Sequence, residues 1–188
     1  MNSAMSTLKQ ISIGAMAAAL ILTIATGAGA QVNKQAEMTV ESAAFQNGQR
    51  IPKQYTGDGK DMSPPLEWTA SPANTKCFVL ICDDPDAPMG TWVHWVVFDI
   101  PASVHSLNEA TPPSAVLAGG GKQGNTSFHK VGYGGPAPPV GKPHRYFFKL
   151  YALDKELGLK SGATKEEVTA AMSGHVLAEA QTMGTYSR

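Results

Sequence analysis

Two groups of polar side chains lie beside long apolar runs in this chain. In the first, Asp84 and Asp86 lie between the apolar run CFVLIC and the run TWVHWVVF, which carries His94. In the second, His144 and Tyr146 open the run HRYFFKLYAL. Imidazole and phenol groups donate hydrogen bonds to anions, and a carboxylate orients an imidazole or binds an amine. If the runs are neighbouring strands, these side chains line one small pocket suited to a phosphate-type anion.

Each of these signals also has a purely structural interpretation. Asp and Pro are ordinary turn residues, so Asp84 and Asp86 can cap the amides of their own turn without meeting a ligand. His94 lies in a run that is apolar on both faces of a strand, where a histidine is more often a core residue than a ligand. On strict alternation, His94 shares its face with Val96 and Phe98.

Prolines stiffen the backbone next to both groups. Pro85 and Pro88 fix φ and remove hydrogen-bond donors, so the DPDAP segment leaves the sheet as a rigid turn. Gly135 and Pro136 lie in the segment GGPAPPVGKP, and a loop this long and stiff is more often functional than incidental. Arg145 comes directly after that loop, and we expect it to brace one of the two turn aspartates.

The sequence lacks the motifs of several enzyme classes. GGGKQGN has neither the spacing nor the Ser/Thr of a phosphate-binding P-loop, and no G-x-S-x-G elbow precedes a helix. Cys77 and Cys82 lie in one predicted strand, where they point to opposite faces and are too far apart for a disulfide. We interpret both cysteines as buried apolar residues.

Short apolar runs separated by Gly and Pro predict a mainly β fold. Strands are predicted at 76–84 and 91–100, which are rich in β-branched and aromatic residues. Alternation predicts an opening strand at 38–45, and the run at 144–153 predicts another buried strand. The helical signal is a capping box at Thr164 and Glu167, followed by Val168, Met172 and Val176 at four-residue spacing. Strands followed by one helix predict a mostly β domain with a peripheral helix at the C-terminus.

Residues 1–30 have the order of a secretory signal peptide. Lys9 precedes the uncharged run ISIGAMAAALILTIAT, and Ala28-Gly29-Ala30 is a small-x-small cleavage site. We therefore expect cleavage after Ala30, a single domain at residues 31–188, and a periplasmic or secreted protein. The alternative is a membrane anchor, which needs about 20 apolar residues. The 15 basic and 15 acidic residues include no basic run, so nucleic acid is not an expected partner.

The same segments resemble the phosphatidylethanolamine-binding protein family, in particular its bacterial Raf-kinase-inhibitor-like branch. The matching motifs are DPDAP at Asp84–Pro88, W-x-H-W at Trp92–Trp95 and G-x-x-PP-x-G-x-x-HRY at Gly135–Tyr146. The resemblance implies a β-sandwich-like fold around a large central antiparallel or mixed sheet with peripheral helices. It also implies a pocket that binds phosphate-type anions and phosphorylated head groups.

The resemblance further implies roles for single residues. Asp84 and Asp86 correspond to the family's pocket aspartates, His94 and His144 to its pocket histidines, and Tyr146 to the tyrosine of the pocket wall. We expect Pro88, Gly135, Pro136 and Arg145 to support the pocket. The peptide before Pro88 is often cis in the family, and we expect it to be cis here. The chain has Trp-Val-His where many eukaryotic relatives have paired histidines, which removes one polar group.

Three functions are consistent with the sequence. We expect an exported, non-enzymatic binding protein, monomer or homodimer, whose pocket holds phosphate or a phosphorylated head group without cofactor or metal. The first alternative is an inhibitor of a kinase or a serine protease that acts through its surface. The second is a metal-dependent hydrolase, because two His and one Asp match the ligand count of catalytic zinc, although no short metal-ligand spacing supports it.

Overall fold

The computed structural model describes residues 37–69 and 71–188, so the predicted signal peptide lies outside the described residues. The secondary-structure elements in chain order are β1 (Thr39–Glu41), a 3-10 turn (Lys53–Tyr55), β2 (Leu66–Thr69), β3 (Cys77–Asp84), β4 (Trp92–Pro101), β5 (Ser106–Leu107), β6 (Lys122–Gln123), β7 (His144–Leu153), α1 (Lys165–Met172) and β8 (Val176–Tyr186). None of the helical segments in these residues has the length and apolar character that a membrane crossing requires.

A five-stranded antiparallel sheet forms the centre of the molecule. Its strand order is β6-β4-β3-β7-β8, so β3 lies in the middle and pairs with β4 and β7. All residues of β3 are buried, which explains why its sequence is an unbroken apolar run rather than an alternating one. The prediction of a mainly β fold with a large central sheet is confirmed.

Each face of the central sheet packs against a different layer. On one face, a second sheet of order β1-β2-β5 contributes Val40, Leu66 and Trp68 to a core with Phe78 and Phe148 of the central sheet. On the other face, Val168 and Met172 of α1 pack against apolar residues of β3 and β4. The central strands are therefore buried on both faces. Polar side chains of these strands reach a cavity at the strand ends, next to the connecting loops.

The two cysteines lie on opposite faces of β3, as the strand alternation predicts. Both are free and buried, with Cys77 in the core under α1 and Cys82 in the core between the sheets. Burial raises the pKa of the Cys77 thiol to about 12 and raises that of Cys82 well above its usual value. Both side chains are therefore neutral, buried thiols at physiological pH.

The chain ends in a strand and not in a helix. The predicted capping box is present, because the Thr164 hydroxyl accepts the Glu167 N–H at the start of α1, which ends at Met172. Val176, which we expected on the helix, instead opens β8, and β8 pairs with β7 as far as Tyr186. The segment VLAEAQ contains good helix formers, but backbone pairing along the full length of β7 outweighs that local preference.

Candidate functional site

A cavity of about 220 Å³ lies where β3 ends and where β4 and β7 begin. It is lined by Asp84, Ala87, Pro88, Met89, Trp92, His94, Phe128, Ala137, Pro138, Pro139, His144 and Tyr146. The structure thus brings together four of the predicted site residues, Asp84, His94, His144 and Tyr146, from three different strands. Apolar walls around a few convergent polar groups are the usual form of a small-ligand site.

Asp84 holds His144 in place at one side of the cavity. The carboxylate is only 3% exposed, and its Oδ2 lies 2.7 Å from the Nδ1 atom of His144. Its other oxygen, Oδ1, accepts the backbone N–H of Asp86 at 2.8 Å. One oxygen therefore caps the turn, and the other orients the His144 ring. With Nδ1 bound to Asp84, the Nε2 atom of His144 is the ring nitrogen left for a ligand.

A β-bulge turns His94 toward the cavity. In the pairing of β3 with β4, Cys82 lies opposite Trp95 and Asp83 lies opposite Val93, so His94 has no partner in the register. The His94 and Tyr146 rings meet edge to face, with their centroids 5.1 Å apart. This contact places His94 on the face of the sheet opposite to that of Val96. The prediction that His94 shares a face with Val96 and Phe98 was wrong, because the bulge interrupts strict alternation. Bulges beside functional sites commonly redirect a side chain in this way.

The backbone of Gly134 fixes the His94 ring. The Gly134 N–H donates to the His94 carbonyl at 2.9 Å, and Nδ1 of His94 donates to the Gly134 carbonyl at 2.5 Å. A carbonyl oxygen only accepts, so this contact places the proton on Nδ1. Nε2 of a neutral His94 therefore carries a lone pair, and the ring donates from both nitrogens only when it is protonated.

Burial shifts the pKa values of His94 and Tyr146, two ring side chains that line the cavity. It lowers the pKa of His94 below the usual 6.5, against the opposing effects of the Gly134 hydrogen bond and the Asp84 charge. Burial, together with the Asp84 charge, raises the pKa of the Tyr146 phenol well above its usual value. Near neutral pH the site therefore presents a neutral His94 and a neutral Tyr146 hydroxyl.

Phe128 and Trp92 form an aromatic wall that the sequence analysis missed. The Phe128 ring lies 5.4 Å from both the Trp92 and the His94 rings, in edge-on geometry. Its loop docks on β4 through reciprocal bonds, Ser127 N–H to the Val93 carbonyl and Val93 N–H to the Ser127 hydroxyl. Phe128 lies in a Gly-rich segment in which Tyr133 is the nearest other aromatic residue, so no periodic signal indicates its position.

Asp86 braces the rim of the cavity instead of lining it. Arg145 donates to the Asp86 carboxylate through its backbone N–H at 3.0 Å and through Nε and Nη2 at 2.9 and 2.8 Å. These hydrogen bonds lower the pKa of Asp86 to about 2. The prediction that Arg145 braces a turn aspartate matches this contact, whereas the expected ligand role of Asp86 does not, because Arg145 occupies both of its oxygens.

Gly135 and Pro136 anchor the prolyl loop from behind. The Gly135 N–H donates to Asp61 Oδ1 at 2.6 Å, and the Gly57 N–H donates to the Pro136 carbonyl at 2.8 Å. A Cβ at Gly135 would lie 2.7 Å from the Tyr55 carbonyl oxygen, so only glycine permits this approach. These contacts present the next residues of the loop, 137–139, to the cavity.

The turn at Pro88 is formed by trans peptide bonds. No cis peptide occurs in the described residues, so the expectation of a cis bond before Pro88 was wrong. Side-chain contacts hold the turn instead, through the Asp84 cap and the Asp86–Arg145 pair. Pro88 itself lines the cavity.

Metal-ligating side chains do not cluster in the described part of the chain. No group of three His, Cys, Asp or Glu residues there has the arrangement to hold an ion. In the cavity, Nδ1 of each histidine is already engaged by a protein acceptor.

Comparison with known proteins places this geometry in a family. A family model described as phosphatidylethanolamine-binding protein matches residues 41–187, which include every predicted site residue. The chain belongs to the phosphatidylethanolamine-binding protein family. The resemblance inferred from the DPDAP and HRY motifs is therefore confirmed.

Individual relatives and structures agree with this assignment. A UPF0098 protein of Methanothermobacter thermautotrophicus is 50% identical over 151 residues, covering 80% of this chain and 99% of the relative. A UPF0098 protein of Aquifex aeolicus is 52% identical, covering 80% and 89%. Among solved structures, E. coli YbcL, described as a member of the mammalian PEBP family, has a TM-score of 0.76 and 32% identity over 81% of this chain and 99% of YbcL. CT736 from Chlamydia trachomatis, a PEBP homologue, has a TM-score of 0.74 and 39% identity, covering 81% and 98%.

The buried His94 predicts a pH dependence of stability. Because the folded-state pKa of His94 lies below 6.5, the unfolded chain binds more protons as pH falls below that value. The contribution of His94 to the free energy of unfolding is therefore complete above pH 6.5 and is lost as pH falls through the lowered pKa. We expect His94→Asn, whose amide can still donate to the Gly134 carbonyl, to lose less stability than the wild type between pH 7.5 and 5.

Urea unfolding followed by tryptophan fluorescence at several pH values measures this difference. His105→Asn is the matched control, because His105 is exposed and lies outside the cavity. Equal pH slopes for the wild type and His94→Asn would contradict the burial effect on His94.

Proposed function

We propose that this chain is an exported, non-enzymatic binding protein whose cavity holds a phosphate-type anion or a phosphorylated head group. One observation carries the proposal: Asp84 and Gly134 engage the Nδ1 atoms of His144 and His94, which leaves the Nε2 atoms of both rings for a ligand in one cavity. Export is supported by the signal-peptide pattern of residues 1–30.

The size and walls of the cavity favour a small ligand group. Its volume of about 220 Å³ is below the range of about 300–1,000 Å³ that is typical of drug-sized ligands. Apolar side chains surround the polar groups, and in such surroundings a hydrogen bond to a charged ligand is stronger than in water. Asp84 is already committed to His144 and to its own turn, so it orients the ring and compensates its charge when His144 is protonated.

The cavity is better suited to binding than to nucleophilic catalysis. Its lining, as the described residues form it, contains no Ser, Cys or Lys that could act as a nucleophile. The thiols of Cys77 and Cys82 have raised pKa values because of burial and lie in the protein core. This arrangement supports the non-enzymatic part of the proposal.

Titration with inorganic phosphate, followed by NMR of the histidine side chains, tests the proposal. We expect the His94 and His144 resonances to shift together with one dissociation constant, while His105 and His175, which do not line the cavity, stay unchanged. His144→Asn keeps an amide donor for Asp84 but lacks Nε2. This variant should fold normally, and its affinity for phosphate should be lower by about tenfold or more. His105→Asn serves as the control.

Two results would overturn the proposal. One is that His94 and His144 do not respond at millimolar phosphate. The other is that His144→Asn binds phosphate as tightly as the wild type.

Anion affinity should rise as pH falls. An anion stabilises the protonated form of His94, whose pKa in the free protein lies below 6.5, so binding takes up a proton near neutral pH. Sulfate is the suitable probe, because its charge does not change in this range. We expect its affinity to increase from pH 7.5 to 5.5, with the proton taken up by His94 contributing at most about tenfold per pH unit. Calorimetric titration measures the increase, and a pH-independent affinity would contradict the role of the imidazoles.

A further inference from the structure

The outer edge of β8 is only partly covered by the other residues that the structure describes. Residues 47–51 lie along its C-terminal half, where Arg50 forms a parallel bridge with Thr185. The Gly48 N–H donates to the Met183 carbonyl at 2.7 Å, and the Thr185 N–H donates to the Gln49 carbonyl at 2.9 Å. A short loop segment of the chain therefore already pairs with this part of the edge.

Toward the start of β8, none of the residues described by the structure pairs with the same edge. Backbone groups of a strand point to alternate sides, so Glu179 and Gln181 direct theirs outward, as Met183 and Thr185 do. The β7–β8 pairing has no register shift between residues 178 and 186. In the described chain, no backbone hydrogen bond reaches Glu179 or Gln181 from outside the sheet. Two N–H groups and two carbonyls are thus available to an added strand.

A groove of about 790 Å³ runs beside this open edge. Met38 and Val40 of the β1 side and Phe45 give it apolar residues, and Tyr151 lies on the other side. Side chains of an extended segment point alternately to its two faces. An extended segment in the groove would therefore place alternate side chains against the apolar residues while its backbone pairs with β8.

The charged residues that line the groove favour a peptide segment of opposite charge. Glu37, Glu41 and Glu179 contribute carboxylates, whereas the ammonium group of Lys149 is paired with Asp83 at 2.9 Å. The groove therefore favours a segment with Lys or Arg residues. A second copy of β8 is disfavoured, because Val176–Tyr186 contains the acidic Glu179 and no Lys or Arg to pair with the groove carboxylates.

We propose that the open edge of β8 at Glu179 and Gln181 binds an extended basic peptide segment by strand addition. The backbone pairing supplies affinity, and the alternation of apolar and basic side chains supplies specificity. The site is independent of the anion cavity. On β7, Tyr151 of the groove lies five residues from Tyr146 of the cavity, roughly 17 Å along the strand.

A pair of capped hexapeptides tests this inference on the full chain. The probe alternates valine with lysine, acetyl-VKVKVK-amide, and its control alternates valine with glutamate. We expect the lysine peptide to shift the amide resonances of Glu179 and Gln181 and to slow their hydrogen exchange. The glutamate peptide should have no effect.

Two variants separate strand addition from simple charge attraction. Gln181→Pro removes only an outward N–H, so the pairing with β7 should survive, and we expect about tenfold weaker binding of the lysine peptide. Glu179→Lys should reverse the preference in favour of the glutamate peptide, and it keeps the test valid if the proline variant does not fold.

Three outcomes would overturn the inference. The first is equal binding of the lysine peptide to the wild type and a folded Gln181→Pro, and the second is equal binding of both peptides to the wild type. The third is a dimer, detected by sedimentation, that Gln181→Pro abolishes, because the occupant of the edge would then be a second copy. Phosphate titration of His94 and His144 is expected to be the same with and without peptide, so failure of either proposal leaves the other intact.

Discussion

The hydrogen bond between Asp84 and His144 is the contact on which the site depends. It joins the last residue of β3 to the first residue of β7, two neighbouring strands of the central sheet. Because Asp84 also caps the turn that follows it, the same carboxylate fixes the turn and the ring. The Asp86–Arg145 pair then closes the turn from the other side, and the cavity forms between these fixed elements.

A second constraint comes from the backbone around His94. In a regular strand the ring would lie on the face of Val96, under the helix layer, where it could not meet His144. The bulge moves it to the cavity face, and Gly134 engages both its carbonyl and its Nδ1 atom. Burial disfavours the charged form of the imidazole, so the pKa of His94 is lowered and the ring is neutral near pH 7. If the cavity holds an anion as we propose, binding of the anion and binding of a proton are linked at this residue.

The sequence predicts the framework of this site better than its details. Three strands were predictable, because β3 and β4 are long, buried and rich in β-branched residues and β7 is long and rich in aromatic residues. The helix was predictable from its capping box. β8 was not, since its pairing with β7 is a long-range interaction that local propensity does not report. The orientation of His94 depends on the register of two paired strands, and the position of Phe128 depends on loop docking. Neither leaves a periodic pattern in the sequence.

The central claim is that His94 and His144 bind one anion together through their Nε2 atoms. A crystal structure of the wild-type chain grown in phosphate or sulfate tests it most directly. We expect one anion in the cavity, with oxygens about 3 Å from Nε2 of both rings and with the Asp84–His144 and Asp86–Arg145 contacts unchanged. An empty cavity at high anion concentration, or an anion bound by Arg145 after release from Asp86, would contradict it.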